Sequence, residues 1–510
     1  MVHQHGDGID IPSEHKVHRV GGWLPADHRI QHDWMAKHID HIDKNPPEPL
    51  IPVIQEFKEF IEGNARIFMY FTQMWDELPQ KKPYNHDPTG KRQIRDYRHM
   101  LAVLNRIFTQ APQWNDSAFG VGMVGVPLVS IFDYVMATPS GHAAFLDPDV
   151  NKMLKKILNE WGKFLQSPES AEVLSQESSG WFSDHGQKDL MEVANAPRKT
   201  SHTFEEAYIC DPMAKHHGFK SWDGKTPLFL PLPLSSSSNP TSIQRNLPTG
   251  PKKTPNSNPP DFFTRQFRPD VRPVAAPDDD NVIANACEST PYKLARNASL
   301  RDKFWIKGQP YSVLDVLAHD PLAAQFDGAT VYQAFLSALS YHRWHSPVSG
   351  KIVRAYVQEG TYFSEPLWTE QAPPNPQNPQ SSSTSTSKNP ESTSTSSTIA
   401  TPLSPSEFHA SQAYLAALAT RAIIFIQADN PSIGLTAFTG VGMDEVSTCE
   451  ITVRPGQRVA KGEQLGMFHF GGSTHCLLFR EGVTVEGFPE IGTGINQNVP
   501  VRGQLAVVRP

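Results

Sequence analysis

Two stretches of this 510-residue chain cannot belong to a core, and they decide how the rest is divided. Residues 224–260 contain the run Ser235 to Ser238 and eight prolines between Pro231 and Pro260. Residues 381–398 are Ser or Thr at 14 of 18 positions. Neither stretch has enough apolar surface to offset the entropy of ordering it. Both are read as mobile insertions, the second extending over residues 364–402. They explain much of the composition. Pro is 45 of 510, and charged residues are 19%, against about 5% and 25% in ordinary domains. The remaining chain is long enough for more than one core.

Between the insertions the texture changes once, near residue 200. Leu50, Val53, Ile54, Phe57, Phe60 and Ile61 recur at helical spacing, as do Ile67, Phe68, Phe71, Met74, Trp75 and Leu78. Met153, Leu154, Ile157, Leu158, Trp161, Phe164 and Leu165 form a third stripe. Asp147-Pro148 before it supplies an oxygen cap followed by Pro at the first helical position. Such stripes are read as core, not as a ligand site. Residues 261–363 and 403–510 are β-rich, with Ala422 to Ile426 suited to a buried strand. A weak repeat of strand, Gly turn and strand links Ser346–Phe363 to Ile451–Phe468. The expected fold is α+β. A His-rich mobile tail (1–45) and a helical region (46–200) precede a β-rich domain (201–510) with two barrel- or sandwich-like halves.

Composition also excludes classes of function. The formal net charge of −7 argues against a nucleic-acid binder, which needs a basic face. The longest apolar run, Ala118 to Phe132, is 15 residues interrupted by Pro127; a bilayer span needs about 20. Residues 1–20 lack the apolar core of a secretory signal. Cys210, Cys287, Cys449 and Cys476 are far apart and form no C-x-x-C pair, so neither a disulfide framework nor a thiolate metal site is expected. His28, His32, His38 and His41 have helical metal-ligand spacing but no accompanying carboxylate signature, and no metal is assigned to them. A cytoplasmic protein is expected.

Two short motifs carry chemistry. Tyr341-His342-Arg343-Trp344-His345 places two imidazoles three apart, able to donate and accept protons near neutral pH. Phe468-His469-Phe470-Gly471-Gly472-Ser473-Thr474 puts two conformationally free glycines before a hydroxyl. The strand–Gly–strand rhythm also suits a biotinyl- or lipoyl-type carrier. Neither Lys351 nor Lys461 has the Met-Lys-Met setting of those modules, so this is the third reading.

Together these motifs resemble the phosphatidylserine decarboxylase family. Asp261-Phe262-Phe263-Thr264-Arg265 through Arg268, and Gly442 through Glu450, resemble two further segments of that family in the same order. The resemblance covers residues 203–485. It implies a self-made cofactor. The Ser473 hydroxyl would attack the Gly472 carbonyl to give an ester. Elimination and hydrolysis would then leave a pyruvoyl group at position 473, with no external cofactor. Cleavage between 472 and 473 would make two chains, a heterodimer for which the resemblance implies further dimerisation. Gly471 and Thr474 support the cleavage site. The resemblance makes His345 the processing base and His342 a participant in decarboxylation, with position 473 forming the Schiff base with the substrate amine.

One position departs from the family pattern. Cys287 stands where the family has the aspartate that orients the processing histidine, and Glu288 follows it. Glu288 is read as the acid that could orient His345. Ala286-Cys287-Glu288-Ser289, the long helical N-terminal region and Phe468-His469-Phe470 resemble a fungal subgroup that decarboxylates tryptophan. The resemblance therefore implies a soluble aromatic L-amino acid, L-tryptophan, as substrate. Phosphatidylserine is the alternative.

Overall fold

The computed structural model describes residues 28–78, 94–114, 127–136, 138–224, 261–302, 311–364, 412–443, 445, 448–469, 473–491 and 498–509. Both insertions, apart from Gly224 and Ser364 at their starts, lie outside the described residues, as do residues 1–27, 403–411, Gly471 and Gly472.

The N-terminal half is helical, as the periodicity requires. Its longer helices are α1 (His28–Lys44), α2 (Pro52–Gly63), α3 (Ala65–Glu77), α4 (Tyr97–Ile107), α5 (Val129–Met136), α6 (Pro139–Leu146), α7 (Pro148–Leu165) and α8 (Asp184–Asn195). The three apolar stripes are the buried faces of α2, α3 and α7. Phe68 departs from its stripe and is exposed on α3. Asp147 caps α7, accepting from the backbone N–H of Asp149 and Val150. Such a cap contributes about 1 kcal/mol.

One expectation for this half is corrected. Residues 28–44, assigned by sequence to a mobile tail, form α1. Met35 and His38 are buried on it. Burial, assisted by Arg106, lowers the His38 pKa to about 4. The polar histidines masked a helix whose inner face needs only a few apolar contacts.

The C-terminal half is built from three sheets. The strands are β1 (Val282–Ala284), β2 (Thr290–Ala298), β3 (Ala329–Leu336), β4 (Arg343–His345), β5 (Gly350–Gln358), β6 (Arg421–Ala428), β7 (Leu435–Gly442), β8 (Thr448–Ile451), β9 (Arg458–Val459), β10 (Gln464–His469), β11 (Ser473–Phe479), β12 (Val485–Glu486) and β13 (Gln504–Val508). A seven-stranded antiparallel sheet runs in the order β2-β3-β11-β7-β6-β5-β9. Two three-stranded sheets run β4-β10-β8 and β1-β13-β12. The fold is α+β.

The two halves expected from the repeat do not close on themselves. β5 of the first repeat pairs with β9 of the second, and β4, just before the first repeat, pairs with β10 of the second, so the two repeats share sheets. Among the described residues no barrel closes. The sheet β4-β10-β8 instead lies over one face of the large sheet, where Trp344 meets Phe438 and Phe468 at ring-centre distances of 5.4 and 4.7 Å. Gly440 makes that approach possible. A Cβ there would stand 3.1 Å from the Trp344 ring and 3.2 Å from the Phe468 ring.

The ends of the first insertion adjoin. Phe263 N–H donates to the Trp222 carbonyl at 2.8 Å, and Ser221 Oγ donates to Asp261 Oδ1. The ends of the second also approach: Thr361 N–H donates to the Leu418 carbonyl. Both long segments therefore leave and re-enter a continuous core.

Candidate active site

Ser473 is the first residue of β11, the strand flanked by β3 and β7 near the middle of the large sheet. It stands opposite Leu336 on one side and Gly442 on the other. The residue is completely buried, and its Oγ has no hydrogen-bond partner among the described residues. Side chains alternate along a strand, so Ser473, His475 and Leu477 share one face and Thr474 and Cys476 the other. The Ser473 face is the one covered by Trp344 and Phe468. Thr474 is held on the opposite face, where its hydroxyl donates to the Ala334 carbonyl at 3.0 Å and accepts from Gln333 Nε2 at 3.0 Å. This second bond fixes the backbone immediately after Ser473.

The histidine motif docks on the Asp261–Arg268 segment. Phe263 stacks on His342 with ring centres 4.0 Å apart, and Phe267 stacks on Tyr341 at 4.6 Å. Arg265 donates to the carbonyls of Leu339 and Ser340, and Arg343 Nε donates to the Thr264 carbonyl at 2.7 Å. Two separate sequence motifs thus form one aromatic and guanidinium lattice. His342 is fully buried within it, and its carbonyl accepts from Phe468 N–H at 2.9 Å. That bond ties His342 to the segment leading into Gly471, Gly472 and Ser473.

His345 is also buried, opposite Gln464 on β10. Its Nδ1 lies 2.9 Å from the Gly462 carbonyl, and its Nε2 lies 3.1 Å from the Tyr341 hydroxyl. The Gly462 carbonyl can only accept and Arg502 Nε, 3.1 Å from the same Nδ1, can only donate, so Nδ1 faces one group of each kind. Burial and the nearby Arg502 guanidinium lower the His345 pKa to about 3, with the Gly462 carbonyl opposing them. The ring is therefore neutral at physiological pH. No hydrogen bond joins it to Ser473.

Among the described residues Glu288 makes no hydrogen bond to His345. Its carboxylate accepts from Arg272 Nε at 3.0 Å and Nη2 at 2.7 Å, and from Val501 N–H at 2.8 Å. Both members of the ion pair are buried. Val501 precedes Arg502, whose Nε donates to the same Gly462 carbonyl at 3.0 Å. On the other side, His345 N–H donates to the Ala286 carbonyl at 2.8 Å. Cys287 is buried between them, and burial pushes its thiol well above the ordinary range.

Three groups were not legible as site residues. His475 lies two residues after Ser473 on the same strand face, a position that strand alternation alone could have flagged. Glu445 is buried and accepts from the N–H groups of Leu128 and Val129 at the start of α5; burial raises its pKa to about 8 despite those donors. His469, four residues before Ser473, lies between Asp223 Oδ1 at 2.9 Å and Glu450 Oε2 at 3.0 Å. Burial disfavours its charge, but the two carboxylates outweigh burial and raise the pKa to about 9. Asp223 N–H in turn donates to the Leu165 carbonyl at the end of α7. The clamp therefore connects the helical region to the strand entering the Ser473 site.

The clamp has a pH signature. A pKa raised from 6.5 to about 9 contributes stability that is fully present below pH 6.5 and is lost as pH rises through 9. Asp223→Asn is expected to lower stability at pH 6.5 and to flatten its fall between pH 6.5 and 9. Urea unfolding across that range measures both effects. Parallel wild-type and variant curves would remove His469 as their origin.

Two phosphatidylserine decarboxylase family models match the chain, one over residues 51–190 and the other over residues 260–501. The chain belongs to the phosphatidylserine decarboxylase family and is a decarboxylase. Within the family it stands close to fungal tryptophan decarboxylases. It is 31% identical to the L-tryptophan decarboxylase of Psilocybe cyanescens, over 94% of this chain and 92% of the relative. Its identity to decarboxylase iboD of Amanita muscaria is 38%, over 72% of this chain and 87% of the relative. The phosphatidylserine decarboxylase proenzyme 3 of Schizosaccharomyces pombe is 27% identical over 47% of this chain and 20% of the relative. Among the described residues no helix is long and apolar enough to cross a membrane.

Proposed function

We propose that the chain is a self-processing, pyruvoyl-dependent decarboxylase of an aromatic L-amino acid, with L-tryptophan to tryptamine as the reaction. The observation that carries this reading is Ser473: a buried hydroxyl without a hydrogen-bond partner, at the start of a central strand and following two glycines. The name of the Psilocybe cyanescens relative, matched over 94% of this chain, supports the substrate.

The residues fit a pyruvoyl group at position 473. Gly442, opposite Ser473, adds no side chain beside it. Once formed, the group supplies a carbonyl that captures the substrate amine and draws off charge as carbon dioxide leaves. His345 contributes a neutral imidazole in contact with the Tyr341 hydroxyl, the protonation state a base requires. His342, rigidly stacked on Phe263, is the proton-handling group assigned to decarboxylation. Gly472 to Ser473 is the bond cut, giving chains of 472 and 38 residues.

The two products would stay together. β11 lies in the smaller piece yet is hydrogen-bonded along its length to β3 and β7 in the larger one. β13 is likewise paired with β1. A cytoplasmic location, and a domain division near residue 200, belong to the same reading. The carrier reading loses its lysine. Lys461 is buried, with Nζ donating to the carbonyls of Ala276, Asp279 and Val282.

Denaturing mass measurement of the purified protein tests processing, and carbon dioxide release tests the substrate. Two chains and release from L-tryptophan are expected. One intact chain overturns self-processing. Release from phosphatidylserine vesicles alone establishes the lipid reading, which the descriptions of both family models favour.

A further inference from the structure

The face of the large sheet that bears Ser473 holds an unusual row of unsatisfied polar groups. Both ring nitrogens of His475, the Tyr332 hydroxyl, Trp344 Nε1 and Ser473 Oγ are buried and meet no partner in hydrogen-bonding geometry among the described residues. A buried polar group left unpaired costs about 1–3 kcal/mol, so a cluster of them calls for a partner that the described residues do not supply.

Register places these groups together. His475 stands opposite Ala334 on β3 and Gly440 on β7, which add one methyl group and no side chain beside the imidazole. Tyr332 and Phe438 both stand opposite Leu477, one step further along the same face. Their ring centres lie 6.1 and 6.0 Å from that of His475, Tyr332 edge-on and Phe438 nearly parallel. Trp344 closes the side over Gly440. Burial lowers the His475 pKa to about 3, the Ala334 carbonyl only partly opposing it. The imidazole is therefore neutral, with one N–H donor and one lone pair to offer.

Residues two apart on a strand are separated by about 7 Å. A substrate fixed through its amine at position 473, with its side chain lying along β11, reaches His475 between aromatic walls. We propose that His475 is a specificity-determining residue that hydrogen-bonds a ring N–H or ring heteroatom on the substrate side chain. The class of substrate is an amino acid with a flat heteroaromatic ring. This inference rests on the decarboxylase reading above.

The test compares L-tryptophan with benzothienylalanine, in which sulfur replaces the ring N–H at nearly the same shape. The full-length protein is used as wild type, His475→Phe and His475→Gln. In the wild type kcat/KM should favour tryptophan. His475→Phe should lower kcat/KM for tryptophan by about 10- to 100-fold, the range for leaving a buried hydrogen bond unmade. It should leave the sulfur analogue within a few-fold. His475→Gln, which keeps a donor and an acceptor, should retain part of the preference. Both variants should still split into chains of 472 and 38 residues, which also shows that they fold. An unchanged tryptophan preference in both cleaved variants overturns the assignment. Loss of cleavage in both also overturns it, by placing His475 in maturation. A wild type that neither splits nor releases carbon dioxide from any amino acid fails the decarboxylase reading and this inference with it.

Discussion

Ser473→Ala is expected to yield one intact 510-residue chain with no decarboxylase activity. The effect should be total, because the substitution removes the nucleophile and the source of the cofactor at once. The same change should scarcely affect the fold. Ser473 Oγ makes no hydrogen bond among the described residues, and alanine occupies less space in the same strand. Its removal leaves the β11 ladder intact and relieves a buried hydroxyl of its missing partner. Stability by urea unfolding should therefore match or slightly exceed that of a chain kept from processing by other means. Ser473→Cys retains a nucleophile in the same place and should still cleave, though at a different rate. Cleavage persisting in Ser473→Ala would remove this residue from the chemistry.

How much of this was legible in the sequence depends on how local the cause is. The stripe from Met153 to Leu165 and its Asp147 cap depend on residues a few positions apart, and α7 begins and ends where they require. Ala422 to Ile426 likewise falls within β6. The α1 helix was hidden because polar histidines dominate its sequence. Strand partners were less accessible. A period of two identifies a strand and its faces but does not say which strand lies beside it. Thus the repeat correctly marked strands, while the sharing of sheets by β5 with β9 and β4 with β10 lay beyond it.

The same distinction holds within the site. Ser473, His342 and His345 stand in short motifs and could be named from them. His469 could not, because its two carboxylates come from Asp223 and Glu450, far away in the chain. Glu288 was visible as an acid beside Cys287, but an acid's partner is chosen by the fold. Here Arg272 reaches it first, and Arg272 Nη2 also donates to the Ala194 carbonyl at the end of α8. The carboxylate thus belongs to the joint between the helical region and the sheets.

That joint gives the second large effect. Glu288→Ala is expected to destabilise the protein by about 3–5 kcal/mol, the usual consequence of removing one member of a buried ion pair. Arg272 would remain buried with its charge uncompensated, and Val501 N–H would lose its acceptor. Glu288→Gln keeps an acceptor for Val501 but not the charge, so its loss should be smaller. Replacing both partners, as Arg272→Met with Glu288→Leu, removes the stranded charge and should recover much of the stability. Urea unfolding of the three variants measures this order. Cleavage separates the ion-pair role from direct action on His345. If Glu288 works through the fold, the double variant should still split into two chains, because His345 keeps Tyr341, Gly462 and the Ala286 carbonyl. A stable double variant that never cleaves would instead return the carboxylate to the chemistry of His345.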